Sequence, residues 1–232
     1  MEWKEREMKE RARIWLLNQV DIDANHFGKY RYAGLPAGSA IFEKNLVKMN
    51  PSVSFSLELF EKDEETFNSL ASDSFSRTHG VVHHSDIDDF LLDDLEGKTS
   101  FRDFVYLDYC GPITVKRLKV LRACLLSTTD LFAVTFSAMR ETSDATTVTN
   151  YLSSSFTDRG LDLVLPEKAA TAAIMKRVKA VSEAALSIVP NLEIRVLPYR
   201  DTVPMFLMTF KRSARRATIF IEPYLDLKEK NR

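Results

Sequence analysis

The chain has 232 residues, 45% apolar and 28% charged, which suits one sizeable α/β domain and lies far from the composition that leaves a chain disordered. Its 32 Lys and Arg stand against 33 Asp and Glu, a net charge of −1, so no global field draws it onto nucleic acid or membrane, and any such partner must use a local patch. Two cysteines, Cys110 and Cys124, exclude a disulfide framework and lack zinc-site spacing, no apolar run approaches the roughly 20 residues of a membrane span, and the densely charged first residues argue against a signal peptide. The expectation is a single soluble domain over residues 1 to 232, intracellular and cytoplasmic.

Residues 2 to about 18 place Met8, Ala12, Trp15 and Leu16 on one face of a helix whose other faces are charged and read as solvated. From Tyr30 a short strand leads into a turn rich in Gly and Pro, and then Ser39 opens a helix with Ile41, Phe42, Leu46 and Met49 on one face. Residues 53 to 60 alternate apolar and polar as a strand does, and Asp63 is placed to cap a helix carrying Phe67 and Leu70. Residues 80 to 84 form a third strand, followed by an acidic stretch from Asp86 to Glu96.

The strongest strand signal is Phe104-Val105-Tyr106-Leu107, ending at Asp108, after which Val115, Leu118, Leu121 and Leu125 recur at helical spacing. Residues 131 to 136 read as a fifth strand, and strands alternating with helices at this rhythm imply a parallel sheet covered on both faces. Residues 141 to 165, rich in Ser, Thr and Asp, exceed an ordinary connection and read either as a lid over the active face or as an ornamental insertion. A long helix runs from Pro166 to Ile188, with Pro190 as its stop. Residues 192 to 197 and 205 to 210 are then two strands whose link is too short for a crossover helix, so they should pair antiparallel.

In an open parallel sheet, ligands sit beyond the carboxyl ends of the strands where the strand order reverses. The first four strands end in the turn from Tyr32 to Gly38, in Glu61, in Asp86 and in Asp108. That set suits a nucleoside with a charged tail. Glycine lets the backbone approach the ligand, Glu61 can accept from both ribose hydroxyls, Asp86 can accept from an adenine amino group, and Asp108 faces the reaction centre.

From about Tyr30 to Phe210 this pattern resembles the class I, Rossmann-fold, S-adenosylmethionine-dependent methyltransferases. Gly34 and Gly38 match the turn that lies against the methionine part of S-adenosylmethionine, Glu61 matches the ribose acid, and Asp86 matches the acid near adenine. The resemblance makes Gly34, Leu35, Gly38, Glu61, Lys62, Asp86, Ile87 and Asp108 the cofactor-binding positions. It implies an α/β fold with a mostly parallel seven-stranded sheet, order 3-2-1-4-5-7-6, strand 7 antiparallel, and helices on both faces. The chain departs from the family at Tyr32, where an acid is usual, and at Pro36, where a glycine is usual. Asp108-Tyr109-Cys110-Gly111-Pro112 looks like a variant of the Asp-Pro-Pro-Tyr type sequence of amino-group methyltransferases, which makes Asp108 and Tyr109 the catalytic pair. Asp108 would orient an acceptor amine and Tyr109 would stack on a base; the bland alternative is that Asp108 only caps the next helix.

A buried thiol explains Cys110 better than a covalent nucleophile does. His83 and His84, adjacent on a strand, point to opposite faces and make a poor metal pair. Lys211, Arg212, Arg215 and Arg216 are a candidate phosphate-binding patch, or a turn of solvated charges. The leading expectation is N-methylation of an amine, with nucleic acid slightly preferred as acceptor. A catalytically silent Rossmann module is the second reading, and a nicotinamide dehydrogenase, lacking its glycine pattern, the third.

Overall fold

The centre of the sheet is β4 (Arg102–Asp108), whose residues are buried along nearly its whole length. A strand sealed on both faces requires apolar residues at successive positions rather than alternation, and Phe104-Val105-Tyr106-Leu107 supplies them. In the computed structural model, which describes residues 2–22, 28–36, 38–93, 101–109, 111–138, 169–201, 203–214 and 217–223, β4 lies between β1 (Tyr30–Gly34) and β5 (Thr128–Ser137), parallel to both. Outward from β1 follow β2 (Phe55–Glu61) and β3 (Gly80–His84), again parallel. On the other flank β7 (Pro204–Arg212) runs antiparallel to β5, and β6 (Leu192–Arg200) pairs antiparallel with β7. The order 3-2-1-4-5-7-6 with a reversed seventh strand is the expected one.

One strand lies beyond that expectation. β8 (Thr218–Ile221) adds to the outer edge of β6 in parallel, giving an eight-stranded sheet among the described residues. Its sequence, Thr218-Ile219-Phe220-Ile221, is β-branched and aromatic, but four residues after a basic turn make a weak signal.

Helices cover both faces. On one, α1 (Glu2–Leu17), α2 (Ile41–Met49) and α3 (Glu64–Ser72) contribute Met8, Ala12, Leu16, Phe42, Leu46 and Leu70 to a core with Tyr32, Phe104 and Tyr106. The short α4 (Ser74–His79) follows α3 directly. On the other face, α5 (Ile87–Asp93), α6 (Val115–Ser127) and α7 (Ala169–Ile188) pack Leu91, Leu121, Val178 and Val181 against Val105, Leu107, Phe132 and Val134. Asp63 caps α3 as expected, accepting from the Thr66 N–H at 2.9 Å.

Three local expectations need correction. Ile41 and Met49 are exposed, and the buried face of α2 is instead Phe42, Glu43 and Leu46. The cap of α6 is Thr114, whose hydroxyl accepts from the Arg117 N–H at 3.2 Å, so Asp108 caps nothing there. Strand ends shift as well: β2 starts two residues later than expected, and β7 extends past its apolar run by one residue at its start and two at its end. The 141 to 165 segment, Cys110, Pro166, Arg215 and Arg216 lie outside the described residues. No helix among the described residues is long and apolar enough to cross a membrane.

Candidate functional site

Strand order reverses at β1, which has β2 on one side and β4 on the other. Gly34, the last residue of β1, registers with Leu59 and with Tyr106, so β2 and β4 each run two residues further, to Glu61 and Asp108. At about 3.3 Å per residue, β1 stops about 7 Å short of both neighbours. This step in the sheet edge is the crevice in which an α/β sheet takes its ligand.

Gly34 is a position where a side chain has no room. A Cβ there would overlap the Tyr32 hydroxyl, because the Tyr32 ring leans along the strand towards the crevice. That hydroxyl donates to Glu43 Oε1 at 2.8 Å. Glu43 is 1% exposed, and its Oε2 has no hydrogen-bond partner. Burial raises the Glu43 carboxyl above its ordinary range despite the Tyr32 hydrogen bond and the nearby Arg13 charge. Tyr32 is thus tied to an acid eleven residues on, carried by α2. Its signal in the sequence was a charged residue on the apolar stripe, three positions before Leu46.

Glu61 is half-buried at the end of β2, and its Oε1 accepts from the backbone N–H groups of Lys62 at 2.7 Å and Asp63 at 2.9 Å. These bonds fix the carboxylate at the crevice rim. Asp86 follows β3 and accepts from Lys62 Nζ, from Lys116 Nζ at 3.2 Å and from the Asp88 N–H at 2.9 Å. Burial works against its charge, but these three donors outweigh that and hold the carboxyl below its ordinary range. Lys62 is thus engaged with Asp86, Ile87 is buried in the core, and Leu35 packs against the same core. Gly38 is exposed at the turn before α2.

Asp108 is where structure adds most to the sequence reading. Its side chain, 6% exposed, turns to the face covered by α1, where Lys9 Nζ lies 3.0 Å and Arg13 Nη2 3.4 Å from Oδ2. Lys9 and Arg13 are one helical turn apart and so share a face. Burial opposes the Arg13 charge, but Asp108, Tyr106 and Glu10 raise its pKa above the ordinary arginine value. Sequence reasoning had placed these cations on a solvated face. The overlooked signal was Arg13 inside the stripe formed by Ala12, Leu16 and Leu17.

Tyr109 does not stand free in the crevice. Its hydroxyl donates to Asp88, its ring stacks on Phe136 with centroids 5.7 Å apart, and the Arg117 guanidinium lies 4.2 Å above it. Burial raises its pKa, and the neighbouring Asp88 adds to the effect. Arg117 Nη1 also donates to the Pro112 carbonyl at 2.6 Å, and the Ser137 N–H donates to the Gly111 carbonyl at 3.0 Å. Tyr109 and Arg117 thus clamp the segment that follows Asp108. In this conformation Tyr109 is a packing residue rather than a stacking platform.

The remaining candidates lie elsewhere. His83 stacks on Phe60 and His84 on Phe67, and His84 Nε2 lies 3.0 Å from the Lys62 carbonyl. Burial pushes the Cys124 thiol up, away from thiolate reactivity. Lys211 registers with Leu131 and Asp108 with Thr135, which puts Lys211 about 13 Å from the carboxyl edge, towards the amino edge. There Lys211 pairs with Asp130 at 3.9 Å, and Arg212 donates to the Leu125 carbonyl at 3.1 Å. These two cations do not border the crevice.

No protein-family profile matches the sequence, and no curated protein matches it either. Solved structures do match in fold. The structure of an S-adenosylmethionine-dependent methyltransferase from Agrobacterium tumefaciens superposes with a TM-score of 0.51 over 89% of this chain, at 8% identity. This chain spans 62% of that protein's length. A delta-N methyltransferase domain of METTL16 gives a TM-score of 0.49 at 11% identity, covering 87% of this chain and 82% of that one. Fibrillarin, from a complex with Nop5p, gives 0.49 at 12% identity, covering 86% and 79%. With its 3-2-1-4-5-7-6 order and reversed seventh strand, the chain has the Rossmann-like fold of the class I methyltransferases.

Proposed function

We propose that the chain is an S-adenosylmethionine-dependent methyltransferase that methylates an amine, with its cofactor across the step at the end of β1. The observation that carries the reading is the convergence of Gly34, Glu61, Asp86 and Asp108 on consecutive carboxyl ends, with Gly34 recessed between Glu61 and Asp108. The donor set fits the ligand. Glu61, already oriented by two backbone N–H groups, presents a carboxylate to a pair of ribose hydroxyls. Asp86 stands one strand further out, on the side where a base would lie, and Gly34 leaves the backbone open.

When bound, S-adenosylmethionine supplies an electrophilic methyl group, so the protein's task is positioning rather than acid–base chemistry. Glu61 holds the sugar. Asp108 accepts a hydrogen bond from the acceptor amine and directs its lone pair, while Arg13 braces that carboxylate from 3.4 Å. Arg117 and Tyr109 hold the following segment still. The acceptor class is an amine; neither Lys211 nor Arg212 supports a nucleic-acid track leading to the crevice.

The test is transfer of labelled methyl groups from S-adenosylmethionine to a panel of DNA, RNA, peptides and small amines, with the parent and Asp108→Asn side by side. The expected result is transfer by the parent and loss by orders of magnitude in the variant, with most cofactor affinity kept. Cofactor binding without transfer to any acceptor would favour a silent module, the reading that Tyr32 and Pro36 support. Equal turnover in both proteins would remove Asp108 from the chemistry.

A further inference from the structure

The position assigned to the acceptor amine is already occupied by an amine of this chain. Lys9 Nζ lies 3.0 Å from Asp108 Oδ2, the oxygen that would orient an acceptor. We propose that Lys9 is a methyl acceptor and that the chain modifies its own first helix, an inference that rests on the methyltransferase reading above.

Among the described residues Lys9 and Arg13 meet Asp108, and of these Lys9 alone suits the chemistry. Arg13 stays protonated at any ordinary pH and has no lone pair to give, whereas a lysine amine is a competent nucleophile once it loses a proton. Arg13 is also fixed in place, 8% exposed with Nη1 held by Glu10 at 2.8 Å. The Lys9 side chain is more open, 22% exposed against 10% for that of Arg13. Arg13 reaches the same carboxylate oxygen, so Asp108 keeps a cationic partner when the Lys9 amine leaves it to react.

The balance is simple. Lys9 gives one proton to water, and its lone pair forms the N–C bond as the S–C bond of the sulfonium breaks. That electron pair remains on sulfur, S-adenosylhomocysteine leaves, and Lys9 becomes a methylated, still protonatable amine. No oxidant or further reactant is needed.

The test has two arms. In the first, the full chain is incubated with S-adenosylmethionine, and the peptide containing Lys9 is examined by mass spectrometry. A methyl increment on Lys9 is expected, absent in Lys9→Arg and strongly reduced in Asp108→Asn. In the second, which needs no turnover, the lysines are labelled with a dilute acylating reagent with and without S-adenosylhomocysteine. Lys9 should be protected several-fold while the exposed Lys48 is unchanged. Calorimetry separates the two possible failures. If S-adenosylhomocysteine does not bind, the methyltransferase reading and this inference fall together. If it binds but Lys9 is neither protected nor methylated, this inference alone is overturned.

Discussion

The hydroxyl of Tyr32 donates to Glu43 Oε1 at 2.8 Å, joining the end of β1 to α2 through two fully buried side chains. Tyr32→Phe leaves a buried carboxyl without its donor, and should destabilise the protein by about 1–3 kcal/mol in urea denaturation. The pH dependence has a definite sign. The folded-state pKa of Glu43 is raised above 4.5, so its protonated form is favoured by folding. That stability is fully present below about 4.5 and is lost as pH rises through the folded value. The parent should therefore lose stability relative to Glu43→Gln as pH rises through that window. Parallel pH profiles of parent and variant would contradict this.

Asp108 joins α1 to the sheet through Lys9 and Arg13, apart from the role proposed for it in orienting the acceptor. Asp108→Ala leaves Arg13 buried with only Glu10, and should cost about 2–3 kcal/mol, below the full penalty of an orphaned buried charge. Lys9→Ala removes a partly exposed partner and should cost less than about 1 kcal/mol. Equal losses by thermal or urea unfolding would mean that α1 is not anchored through Arg13.

Gly34→Ala forces a methyl group against the Tyr32 ring. Relief requires the ring or the strand end to move, at about 1–3 kcal/mol, and cofactor affinity should fall with stability because the same turn borders the crevice. An alanine variant with parental stability and binding would show that the Tyr32 ring yields freely.

Lys211→Ala combined with Arg212→Ala should leave methyl transfer within about twofold of the parent, since both cations lie away from the carboxyl edge. A large loss with nucleic-acid acceptors only would restore the patch as an acceptor track. The salt dependence of binding gives the same information, because each lost phosphate contact lowers its slope by about one unit.

The fold was legible because its signals are local and repeated. Phe104-Val105-Tyr106-Leu107 could only be a buried strand, and the short link between β6 and β7 forced antiparallel pairing. The acids were legible for the same reason, since Glu61 and Asp108 close β2 and β4 and Asp86 follows β3 by two residues, positions that the local pattern marks. What each acid touches is not local. Lys9 and Arg13 reach Asp108 across roughly a hundred residues of chain, and a cation flanking an apolar stripe looks the same whether it meets water or a buried carboxylate. The resemblance makes Tyr109 a platform for a base, yet Asp88 and Arg117 draw it into the core. Glu43 offered a fair warning, since a carboxylate within the Phe42 and Leu46 stripe needs a partner, and Tyr32 is the residue that interrupts the family pattern.

The most direct test of the central claim is calorimetric titration of the parent and Glu61→Ala with S-adenosylmethionine, S-adenosylhomocysteine and NAD. Removing charge-assisted bonds worth about 1.5–3 kcal/mol each corresponds to at least about a tenfold loss of affinity. The parent should bind S-adenosylmethionine and S-adenosylhomocysteine but not NAD, and folded Glu61→Ala should bind both at least about tenfold more weakly. Binding of NAD alone, or unchanged affinity in Glu61→Ala, would contradict the claim.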